Sequence, residues 1–468
     1  MCRPSLASLA GLEMPAVVEL LWEGKYRDGV RVEPSRDAAP LETDEVHDPH
    51  DAPDGGPSCR SDWSNRLVLG DQERVLPALA AELAGRVALV YIDPPFDTGG
   101  AFDFRASIPG APDDTPRIAV PAYEDARGLD AWLAWFDGAA RRLFELLADG
   151  GSLYVHLDAH VAHYAKVVLD EIFGQGAFQR EIVWRIGWVS GFKSRARGWI
   201  RNHDTLLFYA KGGRPTTFHK EYVPYPPGYV RRDGKPPRGA GYPIEDVWNG
   251  SDVDRMDSIQ IVSFSGEKVG YPTQKNEALV SRIVRASSNP DDLVLDCFVG
   301  SGTTAVVAEK LGRRWVACDA SSIAVHTTRK RLLRLPRIAP LVVQRAVTSP
   351  AHASLEGAPR DLDARVAIDG RNATIELASF ALPALSVPEP VRASVDHWSQ
   401  WLDGWCIDWD HQGGALNAGS RLWRTRAQTP LRLSATHAYG GPGRYVALVK
   451  TFDVLGGMTT KRIDVEVA

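Results

Sequence analysis

The stretch LVLDCFVGSGTTAVVAEKLG, Leu293 to Gly312, decides the fold. An apolar run ends at Asp296, a turn carries Gly300 and Gly302, and a helical pattern begins at once at Thr303. A strand entering a helix through glycines lets backbone approach a ligand where the helix N-terminus points. Asp319 closes the next apolar run, RWVACD, and so puts a carboxylate beside the same crevice, within reach of both hydroxyls of a ribose. That geometry suits a nucleoside. GSGTTA, Gly300 to Ala305, also satisfies the G-x-G-x-x-G/A pattern, so on this stretch alone a nicotinamide or flavin site and a purely structural turn both stay open.

Working outward, strand and helix patterns alternate. Ahead of the motif come NRLVLG, a helix over Glu73 to Leu83, a strand over Val87 to Ile92, a helix over Leu129 to Leu147, a strand over Ser152 to Leu157 and a helix over Ala159 to Phe173. A helix over Asn276 to Ala286 directly precedes it, and a strand over Trp315 to Cys318 and a helix over Ile323 to Leu335 follow. This alternation predicts an α/β fold, a Rossmann-like parallel sheet. Residues 178–266, rich in Gly, Pro, Trp and Tyr, interrupt the rhythm and read as an insertion. After Pro336 period-two alternation takes over, in Arg365 to Ile368, Thr374 to Leu377 and Tyr445 to Phe452, which predicts a β-sandwich-like domain. Ala38 to Ser64 reads as a linker of Pro, Gly and Asp, so the core is expected to start near Asn65.

A second motif separates the open alternatives. In VALVYIDPPFDTG, Val87 to Gly99, the residues Asp93, Pro94, Pro95 and Phe96 follow a buried strand, where the carboxyl ends of parallel strands form binding sites. Asp93 and the Pro94 carbonyl can each accept a hydrogen bond from an exocyclic amino group, the prolines stiffen the turn, and Phe96 offers a stacking face. A nucleobase taken out of its stack would be held by edge and face. With both motifs present, the chain resembles the amino-methyltransferases that act on adenine N6 or cytosine N4 of DNA. The catalytic motif comes first, as in the β class, and the order resembles the modification subunits of type III restriction-modification systems. NRLVLGDQERVL, SLYVHLDAHVAHYAKVVLDEIFG, HDTLLFYAKG and GYPTQKNEALVSRIVRASSNPDDLVLD fit the same group, so the resemblance runs from about Asn65 to Leu335.

The resemblance implies S-adenosyl-L-methionine as cofactor, held by Asp296, Phe298, Gly300, Gly302 and Asp319, with Gln274 and Lys275 closing over its methionine end and Asp71 near its adenine ring. It implies catalysis by Asp93, Pro94, Pro95 and Phe96, through positioning and charge stabilisation, with no nucleophilic cysteine and no metal. Cys297 stands where the family usually has Pro, and Asn276 follows Lys275 where Pro is common, a change expected to loosen a helix start. The leading aspartate favours adenine N6 in double-stranded DNA, with cytosine N4 and a non-catalytic specificity subunit as the competing readings. A restriction subunit and a second copy of the chain are its candidate partners. The division expected is an N-terminal extension and acidic linker (1–64), a catalytic half (65–177), a basic target-recognition insertion (178–266), a cofactor-binding half (267–336) and a β-rich domain (337–468). The tail GRYVALVKTFDVLGGMTTKRIDVEVA, from Gly443, resembles the last hairpin of polycystic-kidney-type, immunoglobulin-like sandwiches, which points to packing or docking.

Composition agrees with these expectations. At 468 residues and 44% hydrophobic the chain calls for two or three domains. It has neither an apolar run long enough to span a membrane nor a basic start before an apolar core, which excludes a membrane or secreted protein. Its 5 cysteines are scattered without a Cys-x-x-Cys pair, as expected of a reducing, cytoplasmic compartment. His156, His160 and His163 could suggest a metal site, but two of them lie on a helix that must also show a polar face, so no zinc or iron is expected. The net charge is −5, yet Gly176 to Ala240 holds 13 Lys or Arg against 4 Asp or Glu. There Arg185, Lys193, Arg195, Arg197 and Arg201 interleave with Trp184, Trp188, Phe192, Trp199 and Tyr209, a pattern expected to contact DNA.

Overall fold

The computed structural model describes residues 18–48, 63–112, 114–186, 197–249, 267–347, 360–383, 387–425 and 430–468. Its largest unit is an 11-stranded mixed sheet. In chain order the elements that build and flank it are β1 (Leu41–His47), β2 (Asn65–Leu69), α1 (Gln72–Leu83), β3 (Val87–Ile92), the hairpin β4 (Gly100–Ala106) and β5 (Ile118–Asp125), α2 (Leu129–Leu146), β6 (Leu147–Leu157) and α3 (Ala162–Phe173). Then come β7 (Phe178–Arg185), β8 (His203–Ala210), β9 (Val247–Trp248), α4 (Glu277–Ser287), β10 (Leu293–Asp296), α5 (Thr303–Lys310), β11 (Arg314–Asp319), α6 (Ser322–Leu332) and β12 (Leu341–Ala346).

The sheet runs β9-β7-β8-β6-β3-β10-β11-β2-β12-β1, with a two-residue strand, Leu416–Asn417, pairing β1 at the end. The central six, β6 to β12 in that order, are parallel. They read as near-continuous apolar runs because helices cover both faces. Helix α2 shows how: Trp132, Trp135, Phe136, Ala139, Ala140, Leu143 and Leu146 form one buried stripe at helical spacing. Trp132 and Phe136 stack with ring centres 4.8 Å apart inside the core shared with Val90, Leu153 and Leu295. Such a ring contributes roughly 2 to 3 kcal/mol through burial.

Three boundaries differ from the sequence expectation. The stretch expected to be linker holds β1, antiparallel to β12, and its polar residues Glu45 and His47 are buried because Arg329, Lys450 and each other partner them. The expected insertion contributes β7 and β8, antiparallel strands that extend the sheet beyond β6, so the sheet is continued there rather than interrupted. Residues 341–346, assigned to the tail, lie in the main sheet beside β2. The miss at β1 has a physical cause: its burial depends on partners remote in sequence, so LETDEVH carries no apolar run to read.

Beyond residue 360, β13 (Asp361–Asp369), β14 (Asn372–Ala381) and β16 (Ser434–Ala438) form one antiparallel sheet; β15 (Leu402–Asp408), the strand Ser420–Trp423, β17 (Gly443–Asp453) and β18 (Met458–Val467) form a second. They enclose Ile375, Trp405, Val449 and Val465 as a sandwich. That core does not stop at the sandwich: Phe104, Ile118 and Val120 of the β4–β5 hairpin, Tyr271, and Ile323 and Ala324 of α6 belong to it. A buried ionic knot fixes the junction, with Asp403 accepting from Lys330 Nζ at 2.5 Å and paired with His326 Nε2 at 3.0 Å. Burial pushes the Asp403 carboxyl up, but Lys330 and His326 outweigh it and hold it well below the usual carboxylate range. Asp403→Ala should cost about 3 to 5 kcal/mol, since it leaves the buried His326 and the partly exposed Lys330 without their shared carboxylate. The midpoint of a urea titration measures this, and a loss under about 1 kcal/mol would remove the knot from the list of stabilising contacts.

Candidate active site at the switch point of the sheet

From β3 the chain crosses to β6 on one side, and from β10 it crosses to β11 on the other, so the crevice between β3 and β10 is the place where the winding reverses. Val294 lies opposite Leu89 and Leu295 opposite Val90, which sets Asp93 and Asp296 at the same end of neighbouring strands. A cavity of about 350 Å³ opens there, lined by Asp71, Asp93, Phe96, Asp296, Gly300 and Asp319 among others.

The loop after β3 is held from several sides. Trp132 Nε1 donates to the Pro95 carbonyl at 2.8 Å, and the buried Asp125 accepts from Asp97 N at 2.6 Å and from Thr98 N at 3.1 Å. Asp97 has φ +56° and spends its own carboxylate on the Arg127 and Gly128 amides, at 2.8 and 2.9 Å. Asp93 Oδ2 accepts from Lys275 Nζ at 2.5 Å, while Asp93 Oδ1 is buried and meets no hydrogen-bond donor among the described residues. A buried acceptor without a donor is costly unless something completes it. Its environment is completed by a ligand carrying an N–H.

Across the crevice, the Phe298 amide donates to Asp296 Oδ1 at 2.9 Å, and Asp319 accepts from Gly300 N and Ser321 N, both at 2.9 Å. Gly300 has φ +48°, and a Cβ there would come within 3.3 Å of the Tyr271 ring, so glycine keeps this wall thin. Burial, with the charges of Asp93 and Asp319, pushes Asp296 up to about 7 against the hydrogen bonds from Thr304 and the Phe298 amide. Burial and the charge of Asp71 push Asp319 up to about 6, against the Ser321 and Gly300 amides. Six carboxylates line this cavity, Asp71, Asp93, Glu124, Asp125, Asp296 and Asp319, and the last two resist ionisation, which fits a ligand that brings a cation and hydroxyl donors. S-adenosylmethionine brings both, and Asp71, Asp296, Phe298, Gly300 and Asp319 are the residues that would hold it.

Several expected residues sit elsewhere. Gly302, φ +84°, does not line the cavity; a Cβ there would meet Thr328 Oγ1 at 2.6 Å, so its smallness lets α5 pack on α6. Gln274 lines the cavity, but its amide bridges Val269 N and the Glu267 carbonyl, which shapes the loop. Lys275 joins the catalytic side through Asp93. Asn276 does not loosen α4: its Oδ1 accepts from Leu279 N at 2.8 Å and caps the helix. Of the basic run, Lys193, Arg195, Trp188 and Phe192 lie outside the described residues; Trp184 and Tyr209 are core residues. Arg185 and Arg197 are exposed, and Arg201 pairs with Asp204 at 2.8 Å and Asp158 at 3.3 Å. The sequence reading missed Tyr123, Asp125, Arg127 and Tyr271 in the cavity wall, because nothing in their spacing marks the β4–β5 hairpin or the segments beside it as a wall.

The model of the family described as DNA methylase matches residues 87–330. Type II methyltransferase M.EcaI of Enterobacter cloacae is 28% identical over 57% of this chain and 69% of its own length. Type II methyltransferase M1.MboII of Moraxella bovis is 33% identical over 41% and 74%. DNA adenine methyltransferase YhdJ of Escherichia coli K12 is 25% identical over 57% and 82%. The two type II names lend no support to a special closeness to type III modification subunits.

The carboxylate cluster gives the site a pH signature. Asp296 and Asp319 take up protons below about 7 and about 6, and a bound ammonium and bound hydroxyls favour the ionised forms. Affinity for S-adenosylhomocysteine should therefore be greatest above pH 7, weaken as pH falls through 7, and weaken more steeply below 6. Calorimetry between pH 5 and pH 8.5 reads this directly, and a flat profile would show that these carboxylates do not hold the ligand.

Proposed function

The chain belongs to the DNA methylase family, and on that footing we propose that it methylates the N6 amino group of adenine in double-stranded DNA. Its reaction class is methyl transfer to an exocyclic amino nitrogen of a DNA base, with S-adenosylmethionine as donor. When bound, S-adenosylmethionine supplies an electrophilic methyl group on a sulfonium. What the chain must do is make the amino nitrogen nucleophilic, since its lone pair is delocalised into the ring. Asp93 Oδ1 carries this reading: a buried acceptor without a donor, on a residue that lines the cavity, is what an amino N–H would complete. The Pro94 carbonyl, on the same turn, suits the second N–H, and Phe96 stacks the base face. Acceptors placed on both hydrogens localise the lone pair, and Lys275 keeps Asp93 oriented for it.

Adenine rather than cytosine is supported by the aspartate that leads Asp93-Pro94-Pro95-Phe96, since relatives acting on cytosine N4 more often carry Ser-Pro-Pro-Tyr. A restriction-modification or related defence role in the cytoplasm, with a restriction subunit or a second copy as partner, follows the same resemblance. Among the described residues no helix is long and apolar enough to cross a membrane. Asp93→Ala should abolish methyl transfer and leave S-adenosylhomocysteine affinity within about two-fold, because Asp93 serves the base. Digestion of treated DNA and mass spectrometry should show N6-methyladenine. N4-methylcytosine alone would overturn the base assignment, and full turnover by the variant would take Asp93 out of the mechanism.

For DNA contact, the register supports the basic segment. Arg185 pairs with His203 and Leu157 with Thr205, so the chain between β7 and β8 leaves the sheet at the end where Asp93 and Asp296 stand. Arg185 and Arg197 are exposed at or beyond that end and are proposed as phosphate contacts, with Lys193 and Arg195 in the same run. Changing Arg185 and Arg197 together to Gln should weaken DNA binding and reduce its salt dependence by about two phosphates' worth of slope. S-adenosylhomocysteine affinity should stay unchanged, and an unaltered salt slope would place the DNA on another surface.

A further inference from the structure

Beneath Phe96 a polar row crosses the sheet within an otherwise apolar layer. Tyr91 on β3, His156 on β6, Asp204 on β8 and Trp184 on β7 share one face, because Tyr91 is level with Tyr154, Leu206 with His156, and Asp204 with Trp184. His156 is completely buried. Its Nδ1 lies 3.1 Å from the Tyr91 hydroxyl and its Nε2 lies 3.2 Å from Asp204 Oδ2. Burial pushes Asp204 up, but the hydrogen bond and charge of His156 with the charges of Lys275 and Arg201 outweigh it and bring Asp204 down to about 2. An ionised carboxylate only accepts, so Nε2 carries a proton, while Nδ1 shares a hydrogen bond with the Tyr91 hydroxyl. The imidazole is thereby held in one orientation.

The ring so fixed lies nearly parallel to Phe96, with centroids 6.5 Å apart and planes 14° from one another, and edge-on to Trp184 at 5.3 Å. Lys275 Nζ, which also holds Asp93, stands 5.5 Å from the Phe96 centroid. The other oxygen of Asp204 accepts from Arg201 Nη1 at 2.8 Å, and Arg201 lies 40% exposed at the end of the sheet where the basic segment departs. A core that needed only volume here would be better filled by apolar side chains; instead Tyr91, His156 and Asp204 are paired in series, while Trp184 Nε1 finds no hydrogen-bond partner among the described residues.

We propose that His156 is a positioning residue for methyl transfer: clamped between Tyr91 and Asp204, it sets the plane of the Phe96 ring that receives the base. Through Asp204 it ties that ring to Arg201 on the DNA-facing end. The proposal rests on the reading of Phe96 as the base-stacking ring. It assigns to His156 no proton transfer and no contact with the reacting atoms, only the orientation of the group that makes such a contact. Arg201 then acts less as a free phosphate ligand than as the outer member of this clamp.

The test compares His156→Gln, Phe96→Leu and the double variant for methyl transfer to double-stranded DNA carrying the site found by sequencing DNA from an expressing host. His156→Gln should lower kcat at least ten-fold, with KM for DNA and S-adenosylhomocysteine affinity within two-fold of wild type. Added to Phe96→Leu it should lower kcat by less than two-fold further, because its effect runs through that ring. Full multiplicative losses in the double variant, or an undiminished kcat in the folded single variant, would overturn the proposal. Should His156→Gln not fold, Asp204→Asn takes its place, since it keeps shape and an accepting oxygen while loosening the clamp; the same drop in kcat with unchanged KM is expected. An unchanged kcat for Asp204→Asn counts against the clamp in the same way. A wild-type chain that transfers no methyl to DNA removes the methyltransferase reading and this proposal with it, whereas an active wild type with normal variants removes this proposal alone.

Discussion

Two rungs of parallel sheet hold the molecule's chemistry together: the pairing of Leu89 and Val90 in one half of the chain with Val294 and Leu295 in the other. About 200 residues separate these strands, and no helix joins them directly. Yet their adjacency puts the loop that receives the base and the turn that receives the cofactor on opposite walls of one crevice. A slip by two residues along either strand would move Asp93 relative to Asp296 by roughly 6 to 7 Å and separate the reacting partners. The apolar runs on both strands, buried on both faces, are what forbid the slip.

Around that register the electrostatics divide by wall. On the cofactor side Asp296 and Asp319 are buried against their own ionisation, a destabilising arrangement that a cationic ligand relieves. On the base side the charges are already matched, with Asp93 on Lys275 and Asp204 on His156 and Arg201. One wall is tuned to capture a diffusible cation, the other to hold a fixed shape for an uncharged base. The β4–β5 hairpin closes the crevice between them and is itself pressed down by the C-terminal sandwich, through Phe104, Ile118 and Val120. The expectation that the tail serves packing thus has a location: Gln400 donates to the Pro109 carbonyl at 2.9 Å, in the turn of the hairpin whose far end lines the cavity.

The central strands and helices were legible because each carries its own periodicity, and the two motifs were legible because tight turns demand particular residues. Val87–Ile92 and Leu293–Asp296 have the bounds their apolar runs predict. The rest lay in partners remote in sequence. Nothing near Leu41 announces that its edge pairs with residue 346, and the polar string LETDEVH looks like loop until Arg329 and Lys450 are brought to Glu45. Gly302 fits the family motif, but its neighbour is Thr328 on a helix that the motif does not include. Lys275 was expected over the methionine end of the cofactor, and only the fold shows it turned toward Asp93. Spacing reports local backbone demands; it does not report who stands opposite.

The strand Leu41–His47 has a consequence for the order of events during synthesis. It leaves the ribosome before its hydrogen-bonding partner Leu341–Ala346, which follows almost 300 residues later, with Lys450 later still. At roughly 5 to 20 residues per second the gap is tens of seconds. Through that interval Glu45 and His47, which end in the dry interior, stay in water. The seven residues need no shielding meanwhile, because their charges keep them from pairing with the wrong edge. The acidity that disguised this strand as a linker also lets the nascent chain carry it safely until Leu341–Ala346 and Lys450 arrive to close over it.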